Sequence, residues 1–214
     1  MLKLLIEATW ETLYMVLASG AIAVLGGIPL GAILYATREG RPWARPTWHN
    51  VLSIIVNITR SVPFIILMIA LIPVTRFLVG TSIGVNAAIV PLAIGALPFY
   101  ARLAESALNE VPFGLVEAGL AMGATPVQVL SRILFPEALP GLINGITITF
   151  IALIGYSAMA GTIGGGGLGA LAINYGYNRF DIEIMFATVA VLIILVQALQ
   201  MLGDWVVHRL LTKK

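Results

Sequence analysis

Cysteine is absent from the 214-residue sequence, which excludes disulfides and thiolate metal sites outright. Charge is scarce as well. Asp, Glu, Lys and Arg make up 10% of the residues and hydrophobic side chains 59%, against roughly 25% and 45–50% in soluble domains. No Gly-x-x-x-x-Gly-Lys-[Ser/Thr] loop occurs, so the usual backbone nest for nucleotide phosphates is missing. Nor does any set of residues read as catalytic. Glu7, Glu11, Glu39, Asp181, Glu183 and Asp204 fall at loops or at the ends of apolar runs, where solvated or interfacial carboxylates sit. His49 and His208 flank apolar runs without partner ligands. Together these features argue against an enzyme and against a cofactor or metal bound by this chain. A net charge of +2 makes no case for nucleic acid.

What the chain has in abundance is apolar length, with a mean hydropathy of +1.00. A water-soluble fold has no way to keep that much apolar surface from solvent, so the expected solvent is a lipid bilayer. A helix crossing the ~30 Å hydrocarbon core needs about 20 mostly apolar residues. Five runs meet that length: about Thr12 to Ala36, Val51 to Val79, Ala87 to Leu108, Leu139 to Ile163 and Ile184 to Val207. The expected fold is therefore an all-α integral membrane protein, one domain over 1–214, with five transmembrane helices. The second run is too long for one straight crossing, and Pro63 and Pro73 kink or end it. Ala21-Ile22-Ala23 has the small-x-small look of a signal cleavage site. Apolar sequence nevertheless continues to Ala36, and Glu7 and Glu11 replace the usual basic start, so the first run reads as a retained helix.

Basic residues set the expected orientation. Arg38, Arg41, Arg45, Arg102, Arg132, Arg209, Lys213 and Lys214 fall on one side, against Lys3, Arg76 and Arg179 on the other. Eight against three puts the N-terminus outside and the C-terminus in the cytoplasm. Trp10, Trp43, Trp48 and Trp205 all lie near span ends, where amphipathic rings prefer to sit. Gly27-x-x-x-Gly31 and Gly141-x-x-x-Gly145 permit close helix packing, without saying against what. Gly164 to Gly167 read as a flexible outer loop rather than a ligand cradle.

The loop of about 109–136 is unlike a linker. Pro112 suits the start of a short helix, and Gly123 can end it in a left-handed conformation. Thr125-Pro126-Val127-Gln128 then offers an N-cap, a proline in the first turn and the glutamine of a capping box. Val127, Leu130 and Leu134 recur at helical spacing as an apolar stripe. The expectation is a pair of short cytoplasmic helices. Glycine within the first helix costs about 1 kcal/mol relative to alanine, tolerable where a partner's surface must approach the backbone. Glu117 adds a carboxylate able to hold a basic group or an amide.

Glu117-Ala118-Gly119, Gly123, Ile133 and Pro136 resemble the EAA signature of ABC importer permeases: Glu-Ala-Ala, three residues, Gly, nine residues, then Ile-x-Leu-Pro. Gly119 and Phe135 depart from it. The resemblance implies that Glu117, Ala118, Gly119, Gly123, Ala124, Thr125, Pro126, Ile133 and Pro136 form the element seated on a separate ATP-binding subunit. Further segments, among them Asn57 to Leu67, Val79 to Gly84, Gly123 to Pro126, Leu134 to Gly141 and Gly155 to Met159, look like the methionine-uptake permeases. That likeness covers about residues 10 to 210. It implies import of methionine, both enantiomers and derivatives, by a second copy of this chain together with two ATP-binding subunits and an extracytoplasmic binding protein. ATP and Mg would sit on those partners, and the location would be a bacterial inner membrane. The alternatives are an ABC permease for another small amino acid or hydrophobic solute, or a secondary transporter. The last would need buried acids of its own, and the spans offer almost none.

For the translocation path or gate the candidates are Arg60, Ser61, Pro63, Ser157 and Met159. An arginine in hydrocarbon costs about 2.5–3.5 kcal/mol on insertion scales and tends to face a cavity or partner. Arg60 reads either as a pore-side group or as a structural arginine, snorkelling to the interface or satisfying carbonyls freed by Pro63. Ser157 and Met159, beside Gly155 and Gly161, read as a narrow adaptable gate or as helix packing.

Overall fold

A computed structural model describes residues 1–41 and 43–212; Lys213 and Lys214, counted above in the cytoplasmic tail, lie outside the described residues. The elements are α1 (Leu2–Thr37), α2 (Pro46–Ser61), α3 (Phe64–Ala70), α4 (Ile72–Val79), α5 (Val85–Glu110), α6 (Phe113–Ala121) and α7 (Pro126–Val129). A π-helical turn (Leu130–Leu134) leads into α8 (Phe135–Thr162). Then follow α9 (Gly167–Leu171), a second π-helical turn (Ala172–Tyr177) and α10 (Ile182–Leu211). Four continuous helical stretches are long and apolar enough to cross a membrane: Leu2–Thr37, Val85–Glu110, Pro126–Thr162 and Ile182–Leu211. The bent pair α2–α3 makes a fifth if its two arms count as one span, so the chain is all-α with four or five membrane-length helical stretches, in keeping with the expected five-span fold.

The second run breaks where proline removes a donor. Ser61 ends α2, Val62 and Pro63 are extended, and α3 leaves at 102°. The run is interrupted again at Leu71, and Pro73 sits in the first turn of the new helix α4, where its missing N–H costs nothing.

α5 is the central strut. α1 lies against it through Gly27 and Gly31, where a Cβ would come within 2.7 Å of the Tyr100 ring and 2.6 Å of the Ala101 carbonyl oxygen. On its other side α8 brings Gly141 against Ala107 and Gly145 against Leu103. Both small-residue motifs therefore pack on the same helix. Without a hydrophobic drive between helices in lipid, such backbone proximity and the dispersion it permits hold the bundle. α10 is apolar nearly all round and mostly uncovered, as suits a helix facing lipid.

Three expectations are corrected. The four-glycine segment is a built joint, not a flexible loop. The Gly167 amide donates to the Glu11 carboxylate at 2.7 Å, the Leu168 amide to the Thr12 hydroxyl at 2.9 Å, and the Gly84 amide to the Gly164 carbonyl at 2.8 Å. Glu11 is thus a half-buried structural acceptor at the start of α9 rather than a solvated group. Arg102 likewise lies inside α5, not in the following loop.

At Gly31 the obstructing atom is backbone and cannot retreat. Gly31→Val should therefore cost about 1–3 kcal/mol, the usual range for overpacking. Gly155→Ala meets open space and should be neutral. Thermal unfolding of the detergent-solubilised variants checks the contrast.

Candidate functional site

The segment from Phe113 to Pro136 forms as its local chemistry dictates, and then goes further. α6 ends at a Schellman motif. The Gly123 amide donates to the Leu120 carbonyl at 2.9 Å and the Ala124 amide to that of Gly119 at 3.0 Å, with Gly123 at φ +84°. Only a residue free of a Cβ penalty takes that conformation easily. One residue later the capping box closes: the Thr125 amide donates to Gln128 Oε1 at 2.8 Å and the Gln128 amide to Thr125 Oγ1 at 3.4 Å. Pro126 sits in the first turn.

The second helix of the expected pair is not a separate one. α7, the π turn and α8 run on as one 37-residue helix, Pro126–Thr162. Nothing between Leu130 and Pro136 is a stop signal, and Pro136 falls in the first turn of α8, where its lost donor is accommodated by the wider π turn before it. The apolar stripe is also shifted. Val127 is exposed, whereas Val129 and Leu134 are fully buried and Leu130 and Ile133 half-buried.

α6 packs on this helix with Val116 and Gly119, both buried. A Cβ at residue 119 would stand 2.5 Å from Ile133 Cδ1. The glycine that departs from the Glu-Ala-Ala pattern thus makes room for this chain's own Ile133, not for a partner's surface. Val116, Val129 and Leu134 continue into a core formed with Tyr35, Tyr100, Leu108 and Ala138, so α6 is keyed into α1, α5 and α8 together. Glu117, Ala118, Thr125 and Pro136 face outward, Ala124 and Pro126 are half-covered, and Met122 is 80% exposed. Neither ion pair among the described residues involves Glu117.

A polar cluster that residue patterns did not single out fastens the start of α6. The Arg41 guanidinium donates to the Tyr35 hydroxyl and to Asn109 Oδ1, each at 3.0 Å, and lies 4.5 Å from the Tyr35 ring centre and 5.0 Å from that of Phe113. Asn109 in turn donates to the Glu105 carbonyl at 2.9 Å. One turn up α5, Arg102 pairs with the buried Glu105 at 2.5 Å and reaches Asn57 Oδ1 on α2 at 3.1 Å. His49 Nδ1 lies 3.0 Å from the Leu34 carbonyl oxygen. The only signal in the sequence was Glu105 and Asn109 one turn apart in an apolar run.

The path candidates do not form one cluster. Arg60, Ser61 and Pro63 are exposed around the α2–α3 bend, with the Arg60 guanidinium 5.7 Å from the Phe99 ring centre. Ser61 donates to the Asn57 carbonyl at 2.8 Å. A cavity of about 170 Å³ opens there, lined by Arg60, Phe64, Gly95, Phe99 and Tyr156. Phe64 and Tyr156, both lining it, stack on each other at 4.7 Å. Met159 is 45% exposed on α8, whereas Ser157 is buried and donates to the Ile154 carbonyl at 2.8 Å.

Comparison with known proteins aligns residues 27–213 with the family described as binding-protein-dependent transport system inner membrane component. The chain is 57% identical over 206 residues to the probable D-methionine transport system permease protein MetI of Vibrio cholerae, covering 96% of this chain and 92% of that protein. It is 55% identical over 161 residues to the D-methionine transport system permease protein MetI of Escherichia coli strain K12, 75% of this chain and 74% of that one. Among solved structures it is similar to a chain of the methionine ABC transporter MetNI in inward-facing conformations. The TM-score is 0.97 at 50% identity, over 98% of this chain and 97% of that chain. An amino acid ABC transporter solved with histidines shares the fold, with a TM-score of 0.79 at 20% identity, over 97% of this chain and 94% of that one.

The Gly119–Ile133 approach is a coupled pair. Gly119→Val should destabilise the solubilised protein by about 1–3 kcal/mol, and Ile133→Ala in the same chain should restore part of that. A double-mutant cycle on thermal unfolding should return an interaction energy of about 0.5–3 kcal/mol, whereas strict additivity would deny the contact.

Proposed function

This chain belongs to the binding-protein-dependent transport system inner membrane component family, and from that membership we propose how its parts work. It is a multi-pass inner-membrane permease subunit of an ABC importer for methionine, the cargo in the names of the relatives 57% and 55% identical to it. Both enantiomers and close derivatives are the expected substrates. Two copies enclose the path, two ATP-binding subunits carry ATP and Mg, and an extracytoplasmic binding protein delivers the amino acid. The chain has no ATPase site of its own. Its N-terminus is outside and its C-terminus cytoplasmic.

The observation that carries this reading is the two-sidedness of α6. Its inner face, Val116 and Gly119, is locked into a core shared with α1, α5 and α8. Its outer face leaves Glu117, Ala118 and Met122 uncovered. A helix so fastened cannot slide independently; force applied by an ATPase on the outer face moves the bundle. Arg41, stacked on Phe113 and hydrogen-bonded to Asn109, makes the start of α6 follow the ends of α1 and α5. Glu117, Ala118, Gly119, Gly123, Ala124, Thr125, Pro126, Ile133 and Pro136 make up this coupling element, about half of them in contact with the ATPase and the rest shaping it. Arg60, Ser61 and Pro63 at the bend and Met159 on α8 line the path, Met159 as a flexible gate. Ser157 supports that gate from behind, since its hydroxyl is spent on the helix.

Glu117→Ala should leave insertion and basal ATP hydrolysis of the assembled transporter intact while lowering uptake at least tenfold. Normal binding-protein-stimulated transport by that variant would sink the coupling role. Labelled methionine uptake in reconstituted vesicles, competed by each enantiomer and by unrelated amino acids, tests the cargo; preference for another solute would overturn it.

A further inference from the structure

On the outer flank of α1, away from α5, lies a groove of about 420 Å³ that belongs neither to the coupling element's exposed face nor to the α2–α3 bend. Ile28, Ala32 and Ile33 form one wall, Leu130 and Phe135 the other, and Trp43 stands at its mouth, with no polar surface inside. It runs along the last turns of the apolar run of α1, where that run meets the segment leading into α8. Trp43 is 40% exposed, an amphipathic ring at the depth where lipid headgroups begin.

The chain beside it is basic. Arg38 follows Thr37, which lines the groove; Arg45 donates its backbone amide to the Thr37 carbonyl at 2.9 Å; Arg132 lies within a turn of both Leu130 and Phe135. All three are exposed, and none has an ion-pair partner among the described residues. Arg41 in the same loop is turned inward to Tyr35 and Asn109 instead. Glu39 is the one acidic residue of the loop and pairs with none of them. An apolar trough with a tryptophan at its mouth and exposed, unneutralised arginines beside it matches a single kind of occupant. Basic pockets beside transmembrane helices take anionic lipid headgroups.

We propose that this groove binds an anionic phospholipid of the surrounding bilayer. One acyl chain lies between α1 and the α7–α8 helix, and the phosphate is held by Arg38, Arg45 and Arg132. Because the trough has one wall on α1 and the other at the junction of α7 and α8, the lipid bridges the two elements that the coupling helix must move together.

The test is native mass spectrometry of the assembled transporter, titrated with phosphatidylglycerol and with phosphatidylcholine of the same acyl chains. Each basic residue near an anionic lipid surface is worth about fivefold in affinity. The doubly substituted Arg38→Gln/Arg45→Gln chain, altered only at exposed positions, should therefore bind phosphatidylglycerol roughly 25-fold more weakly. Ile33→Trp, which fills the trough, should abolish tight binding of either lipid. Equal affinity for the two lipids, or unchanged phosphatidylglycerol binding by both variants, would overturn the proposal. So would a groove that takes lipid in the isolated chain but none in the assembled transporter, since the ATPase would then be its occupant.

Discussion

Everything in this bundle hangs on how closely two helices approach α5. At Gly31 on one side and Gly141 on the other there is no room for a methyl group, with a Cβ falling 2.6 Å from the Ala101 oxygen and 2.9 Å from the Ala107 Cβ. In lipid, apolar surface gains nothing by facing protein rather than acyl chains, so contact at this range is what selects the arrangement. Once α1 and α8 are set against α5, their ends converge around Tyr35, Leu108 and Leu134, and the socket for Val116 of α6 follows. α6 is therefore placed by the transmembrane packing rather than by its own short sequence.

Polar groups reinforce the same geometry at both ends. At the α6 end, Arg41 gathers Tyr35, Asn109 and Phe113 from α1, α5 and α6. Cation–π contacts of this kind contribute about 0.5–2 kcal/mol, more when water is excluded. At the opposite end the Glu11 and Thr12 side chains satisfy the first amides of α9. The two fastenings sit at opposite ends of the bundle, so a push at α6 finds α1 held along its length. A proline-broken second span, by contrast, is joined to α5 through the Arg102–Asn57 bond and the Arg60–Phe99 contact, and its bend is where the bundle can yield.

What could be read from residues alone divides along a physical line. The Gly123 stop, the Thr125–Gln128 capping box and the break at Pro63 depend on backbone chemistry within a few residues, and each formed as expected. The span count rests on composition, and four long helices with the bent α2–α3 pair are compatible with it. Side-chain partners far apart in the chain were not legible: Glu11 meets Gly167 across 156 positions, and nothing local in either announces the other. Gly119 was read as space for a visitor because its neighbour fourteen residues on was invisible. The stripe expected of Val127, Leu130 and Leu134 is shifted, with Val127 exposed and Val129 buried instead, and a π turn over Leu130–Leu134 then breaks the simple helical period. Among the path candidates the bend residues came together, but Ser157 is buried and Met159 exposed, as residues two apart on a helix, about 200° round it, fall on opposite faces.

The central claim is that α6 and α5 move as one body while the transporter cycles. The absence of cysteine makes a direct measurement simple: Met122→Cys and Ser106→Cys, both at exposed positions, carry spin labels in the assembled transporter. The account predicts that the distance between labels at 122 and 106 within one chain stays fixed between nucleotide-free and ATP-trapped states, while the distance between the two copies' labels at 122 changes. A shift within the chain comparable to that between copies would mean that α6 moves on its own, and would contradict it.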